Sequence, residues 1–271
     1  MRIGIFAAEQ QEIENIQQSL QGRKTERAGL VFYEAEYGTH TVISVCGGIG
    51  KVNAAICTQV LISEFHAEII INTGTAGGLN DSLHIFDLVV STDAVQHDVD
   101  VSVFGYAKGQ IAGTTSPFWK ADDSLRAMIM ETFTQLKTDC AEDFANTDNM
   151  IAGRIASGDR FIVDPAVKQE IISTFKADCV EMEGAAVAQT CVMNAVPFVI
   201  LRCISDNAGE PAAISYQQFS KEASRISAML VWNQFIIHNY ELRITNFPCN
   251  YGSFLLKMLI FCPFYCYFPN K

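Results

Sequence analysis

Basic residues are scarce in this chain. Lys and Arg number 19 against 30 Asp and Glu, a formal net charge of -11, and no basic cluster interrupts that balance, which argues against nucleic acid as a partner. Nine cysteines occur without a CxxC pair. Cys46, Cys57, Cys179, Cys191 and Cys203 sit in apolar segments, where a free thiol behaves as a small hydrophobe, so neither a disulfide frame nor a zinc site is indicated. No strand is followed by GxGxxG with an acid about 20 residues on, and GxxxxGK[ST] is missing, so the two common nucleotide-phosphate loops are excluded. The opening "MRIGIFAA" is too short for a secretory signal, and a cytoplasmic protein is expected. Membrane association is not expected either, since no apolar run reaches the roughly 20 residues of a spanning helix.

What is present is apolar and alternating. Hydrophobic residues make up 49% of the 271, enough for a large core. Short β-branched runs alternate with longer segments whose apolar residues recur three or four apart, the pattern of an α/β layer fold. Strands are predicted over Arg2–Ala7, Leu30–Tyr37, Thr41–Cys46, Glu68–Asn72, Leu88–Ala94, Ile151–Ser157 and Pro197–Ile204. Helices are predicted over Glu9–Leu20, Val52–Phe65, Asp123–Leu136, Ala166–Phe175, Gly184–Asn194 and Tyr216–Tyr240. In the first helix Ile13, Ile16 and Leu20 form the inward stripe. Residues 1–243 read as one domain. Residues 244–271 hold eight aromatics, three cysteines, three prolines and no acid, and read as a tail without a catalytic role. An oligomer contact and a membrane contact are the other readings of this segment.

In such sheets ligands bind beyond the carboxyl ends of the strands. Five stretches lie there. In "AAEQQEIE" Glu12 falls near a helix start, where the macrodipole favours a carboxylate and a general base could sit; a solvated first turn with Glu9 and Glu14 is the plainer alternative. "CGGIGK" and "NTGTAGG" put glycines at strand ends, where backbone N–H groups can approach a ligand or simply make tight turns. "DCVEMEGAA" sets Glu181 and Glu183 either side of Met182: a carboxylate there can grip sugar hydroxyls, or one acid is solvated and the other caps the helix. "RCISDNAGE" ends a buried strand on Asp206 with Arg202 inside it, a charge rarely buried without a partner; Asp206 could also only cap the turn that follows.

Taken together and in order, "GIGKVNAA", "INTGTAGGL", "FDLVVSTDAVQHDVDVSVFGYAKGQIAG", "ASGDRFI", "VEMEGAAVA" and "VPFVILRCISDNA" resemble the bacterial 5'-methylthioadenosine/S-adenosylhomocysteine nucleosidases, of the nucleoside phosphorylase superfamily, over residues 1 to about 240. The resemblance implies a three-layer α/β/α fold with a central mixed β-sheet, a homodimer, and hydrolysis of an N-glycosidic bond with release of adenine. It implies no metal and no organic cofactor. By resemblance, Asp206 is the general acid toward adenine N7 and Glu12 positions and deprotonates the attacking water. Glu183 holds the ribose 2'- and 3'-hydroxyls, Met182 packs on the sugar, and Arg202 organises nearby carboxylates. Phe161 and Ile162 match the adenine-stacking stretch, with Ser205 beside them. Ile49, Thr75 and Phe219 would line the pocket, and Val101 and Phe104 match positions that reach a partner subunit's alkylthio site.

Three positions depart from the family pattern: Glu9 stands where an apolar methionine is usual, Thr75 where a serine is, and Ala112 where a proline is. They bear on substrate preference among methylthioadenosine, adenosylhomocysteine and deoxyadenosine. The nearest alternative is a phosphorylase of the same fold, which needs cations for phosphate; the matching places read "AAEQQE" and Asn72, which suit water. A nucleoside-binding protein without catalysis is the third reading, disfavoured because binding alone requires no acid and base around one bond.

Overall fold

The computed structural model describes residues 1–20, 22–209 and 212–238; the tail at 244–271 lies outside them. Ten strands form one mixed sheet. They are β1 (Arg2–Ala7), β2 (Arg23–Arg27), β3 (Leu30–Tyr37), β4 (His40–Cys46), β5 (Ile69–Gly78), β6 (Leu88–Gln96), β7 (Phe118–Lys120), β8 (Met150–Ser157), β9 (Cys179–Glu181) and β10 (Phe198–Asp206). Six helices accompany them: α1 (Gln10–Leu20), α2 (Lys51–Ser63), α3 (Asp123–Asp139), α4 (Pro165–Phe175), α5 (Gly184–Met193) and α6 (Ala212–His238).

Side-chain alternation along the strands builds the layers. In β1, Ile3, Ile5 and Ala7 enter a core shared with α1, α3 and α6, while Phe6 enters one shared with α2 and α5. The same period of two divides β10, with Val199, Leu201 and Cys203 on the first side and Phe198, Ile200 and Ile204 on the second. The α/β/α expectation is met. A third, smaller cluster joins Ile162 to Ile171 and Phe175 of α4. No helix among the described residues is long and apolar enough to cross a membrane.

Most predicted elements recur within a few residues of their expected limits. The main difference is β5, which runs on through "NTGTAGG" to Gly78. There it pairs in parallel with β10 from Phe198↔Ile70 to Asp206↔Gly77, and antiparallel with β9 through Val180↔Gly77 and Cys179↔Gly78. Glycines that read as a loop are strand because neighbours on both edges satisfy their backbone. β10 also pairs with β6, β6 with β8 and β8 with β9, so β5, β10, β6, β8 and β9 close a ring. The strands unforeseen from sequence are the polar edge strand "RKTER" and the three-residue β7 and β9. Each is too short or too polar to show a period.

Candidate active site

Two of the expected acids pack against the long β5. Glu12 lies in the first turn of α1 and is 5% exposed. Its Oε2 accepts from the backbone N–H groups of Ala8 (3.1 Å) and Glu9 (3.0 Å), and its Oε1 from the N–H of Thr75 (3.0 Å). It is therefore not a solvated first-turn acid. Burial raises its pKa, opposed by the Arg202 charge and the backbone donors. Asp206 ends β10 at 2% exposure; its Oδ1 accepts from the N–H of Ala208 (2.8 Å) and its Oδ2 from the hydroxyl of Ser205 (3.0 Å). It does cap the following turn, as the plainer reading had it, yet burial also raises its pKa against those two donors. A carboxyl so placed can keep a proton to give away.

The glycines of β5 make room for both. A Cβ on Gly74 would stand 2.6 Å from Glu12 Oε1, and one on Gly77 would stand 2.8 Å from Asp206 Oδ1. Their service to these acids is empty space.

The two acids flanking Met182 divide the work. Glu181 takes the N–H of Gly184 at 2.8 Å and that of Glu183 at 3.1 Å, capping α5. It also accepts from the hydroxyl of Ser157 and from Arg202 Nη2 in short contacts. Arg202, 2% exposed, donates in addition to Asn72 Oδ1 at 2.6 Å. Burial would lower the Arg202 pKa, but the acids around it, Glu181 foremost, outweigh that and raise it. Glu183 is left free of the cap: its Oε1 accepts from the N–H of Gly50 (2.8 Å), which belongs to "CGGIGK". Burial first, then repulsion from Glu181, raises its pKa. Neither acid is solvated, and Arg202 holds Glu181 directly.

The remaining expected residues fall into two groups. Ile162 is buried, Ser205 fully so, and Thr75 and Met182 partly. Phe161, 40% exposed, meets Tyr216 edge-on at 5.7 Å between ring centres. Phe219 packs edge-on against Phe86 at 5.7 Å, and Tyr216, one turn earlier in α6, is the aromatic that reaches Phe161 and Glu9. Ile49, Val101, Phe104 and Ala112 lie at more open positions, with Ile49 directly before Gly50, whose N–H Glu183 holds. Phe104 is 76% and Ile49 51% exposed, Ala112 is exposed, and Val101 leads into a short 3-10 turn at Ser102–Phe104. Glu181, Asn72 and Tyr216 were not singled out for roles from sequence. The signal available for Glu181 was a second acid beside a buried arginine.

Two clefts, of about 360 Å³ beside Gln10 and Lys24 and about 170 Å³ beside His97 and Lys108, lie outside this carboxylate group. Among the described residues no cluster of three or more His, Cys, Asp or Glu is placed to hold a metal ion. What the group offers is proton transfer on either side of a bond and negative charge against a developing cation.

Comparison with known proteins agrees. A profile of the phosphorylase superfamily matches residues 2–234. The 5'-methylthioadenosine/S-adenosylhomocysteine nucleosidase of Treponema pallidum (strain Nichols) is 48% identical over 244 residues, covering 85% of this chain and 91% of that protein. The solved nucleosidase of Neisseria meningitidis in complex with methylthio-immucillin-A superposes with a TM-score of 0.79 at 36% identity, over 87% of this chain and 98% of that one. The futalosine hydrolase of Helicobacter pylori gives 0.80 at 33%, over 88% and 98%. This chain belongs to the 5'-methylthioadenosine/S-adenosylhomocysteine nucleosidases of the phosphorylase superfamily.

Proposed function

We propose that this chain hydrolyses the N-glycosidic bond of 5'-methylthioadenosine and S-adenosylhomocysteine through Glu12, Glu183 and Asp206. Asp206 protonates adenine N7, so that the C1'–N9 bond breaks with both its electrons leaving on a neutral base. Glu12 takes a proton from the water whose oxygen bonds to C1'. Glu183 accepts from the ribose 2'- and 3'-hydroxyls, and in its ionised form stabilises the oxocarbenium-like carbon. Arg202 acts through Glu181, which fixes the start of α5 and hence Glu183. Phe161 and Ile162 flank the base with Ser205, while Met182 and Thr75 bound the sugar.

The observation that carries this reading is the seating of Glu12 and Asp206 against β5 at Gly74 and Gly77. Two residues of strand, Thr75 and Ala76, lie between those positions, about 10 Å of rise along β5, and inverting hydrolysis of a glycosidic bond uses two carboxyls set far enough apart for a water to enter. The surroundings favour water over phosphate: Glu9 precedes α1 and Glu12 lies in its first turn, and the cation that acts on Glu12, Arg202, is already engaged by Glu181 and Asn72.

Release of adenine from 5'-methylthioadenosine in phosphate-free buffer, followed spectrophotometrically, tests the reaction, with S-adenosylhomocysteine and futalosine as companion substrates. Strict dependence on phosphate would point to a phosphorylase instead. Asp206→Asn and Glu12→Gln should each cost roughly 10²–10⁴-fold in kcat while circular dichroism stays native.

The active form in this reading is a homodimer. Val52 (69% exposed) and Ile56 (48%) lie one turn apart on α2, and Val192 (45%) and Met193 (75%) end α5, which packs beside it. These, and the exposed Ile49, Val103 and Phe104, are the apolar side chains offered to a second copy, whose Val101 and Phe104 would complete the alkylthio pocket. The catalytic domain is taken to end near residue 243. A cytoplasmic setting fits the six described cysteines, all free and four of them buried.

A further inference from the structure

Lys51 ends the stretch "CGGIGK" and has no part in the chemistry above. It is the first residue of α2, a helix whose N-cap, Gly50, carries no side chain to satisfy the opening N–H groups. Carboxylates from two other segments do so: Glu183 Oε1 accepts from the N–H of Gly50 at 2.8 Å, and Asp159 Oδ1 from the N–H of Lys51 at 2.8 Å. The Lys51 ammonium, 15% exposed, donates to Asp98 Oδ1 at 2.5 Å, and Asp98 Oδ2 takes the N–H of Asp159 at 3.0 Å. Three hydrogen bonds thus close a ring through residues 51, 98 and 159, which lie 47 to 108 positions apart in the chain. Burial would raise the Asp98 pKa, but its bonds to Lys51 and to the Asp159 N–H outweigh that and lower it, so the ring keeps its anion. A second branch leaves the same ammonium: Gln96 Oε1 accepts from it at 3.1 Å, and Gln96 Nε2 donates to Gln189 of α5 at 2.6 Å.

Resting on the proposed function, we infer that Lys51 is a positioning residue for the ribose: through Asp98 and Asp159 it fixes the peptide whose N–H holds Glu183, and with it the oxygen offered to the sugar hydroxyls. Two facts make Glu183 sensitive to that peptide. Among the described residues, Gly50 supplies the hydrogen bond that Glu183 accepts, and Glu183 Oε2 has no donor. Gly50 also sits at φ +98°, a conformation that glycine adopts without preferring it over others, so the ring and not the local backbone selects it. The two branches from Lys51 lead to the two sides of the Gly50–Glu183 bond, one to the Gly50 peptide and the other to α5, which Glu183 precedes. Asp159 stands two residues before Phe161, so the same ring relates the sugar site to the wall proposed for the base. The Lys51 charge is matched by Asp98, so it acts through these bonds and not as an anion site.

The test compares 5'-methylthioadenosine with its 2'-deoxy counterpart, whose kcat/KM ratio reads the hold of Glu183 on the 2'-hydroxyl. In the full chain Lys51→Met should lower that ratio roughly tenfold, the worth of one hydrogen bond to a charged group, with circular dichroism unchanged. Lys51→Arg should restore most of it, because a guanidinium still donates to Asp98. Asp98→Asn should give a smaller fall, since its amide keeps an acceptor for Lys51 and loses the one for the Asp159 N–H; it decides the matter if Lys51→Met does not fold. A merely structural role would lower both nucleosides by the same factor, and that result overturns the inference. Dissociation constants of the pair, measured by calorimetry in an Asp206→Asn background, read the same ratio if no adenine is released. Glu183→Gln tells the two readings apart. A ratio that Glu183→Gln collapses while Lys51→Met and Asp98→Asn leave it unchanged sinks the positioning role alone. A ratio that Glu183→Gln leaves unchanged sinks the role assigned to Glu183, and the positioning role with it.

Discussion

A missing side chain matters at this site as much as those present. Glu12 and Asp206 occupy volumes that a Cβ on Gly74 or Gly77 would enter, and a carboxylate moved by one ångström loses its line to the substrate. Gly77→Ala meets Asp206 Oδ1 at 2.8 Å and the Ala208 Cβ at 2.9 Å. Neither neighbour has a flexible end that can swing away. This substitution should therefore lower kcat roughly 10²-fold while KM for 5'-methylthioadenosine changes far less, a split that steady-state kinetics resolves. At the same scale Glu181 and Glu183, two residues apart with similar burial, do unlike things: the first caps a helix and pairs with Arg202, and the second keeps an oxygen for a ligand.

The element that sets this division is the junction of β9 and α5. Glu183 occupies the N-cap position of α5 without capping it, because Glu181 reaches the Gly184 N–H first. The cost falls on Glu183, whose pKa is pushed from an ordinary 4.5 up to about 8 by burial and by Glu181. Its folded-state pKa lies above its unfolded one, so the penalty is absent below about pH 4.5 and grows as pH rises to about 8, where the unfolded chain has ionised and the folded chain must follow. The ligand-free protein should lose several degrees of Tm between about pH 5 and about pH 8, and Glu183→Gln should flatten that slope in differential scanning calorimetry. An equal slope in the variant would show that Glu183 does not carry the effect. Elements of this kind were only partly legible in the sequence. α5 was visible as a run of small apolar residues, but β9 is three residues long and owes its existence to pairing with β5 and β8. Likewise β1 and β10 announced themselves as β-branched runs, whereas the extension of β5 through its glycines required both neighbours.

For the whole molecule, the exposed apolar side chains on α2, at the end of α5 and around Val103 and Phe104 set the expectation. Val52→Lys together with Ile56→Lys should shift the protein toward monomer in sedimentation velocity, because burying each such side chain contributes about 1.5–3 kcal/mol to an interface. If the partner's Phe104 completes the alkylthio pocket, the same variant should lose kcat/KM for 5'-methylthioadenosine in step with its monomer fraction. A fully active monomer would remove the partner from the site. By itself the sequence determined the layered α/β class and the family, and drew attention to the acids Asp206 and Glu12, because these rest on local periodicity and on ordered motifs that survive without coordinates. Only the tertiary structure decided that Arg202 belongs to Glu181, that Gly74 and Gly77 are spacers for carboxylates, and that Tyr216 of α6 meets Phe161 and Glu9. Each of those facts is a contact between residues 21 to 207 positions apart, fixed by the register of β5 against β10 and by where α6 crosses the sheet, and no local pattern records such a register.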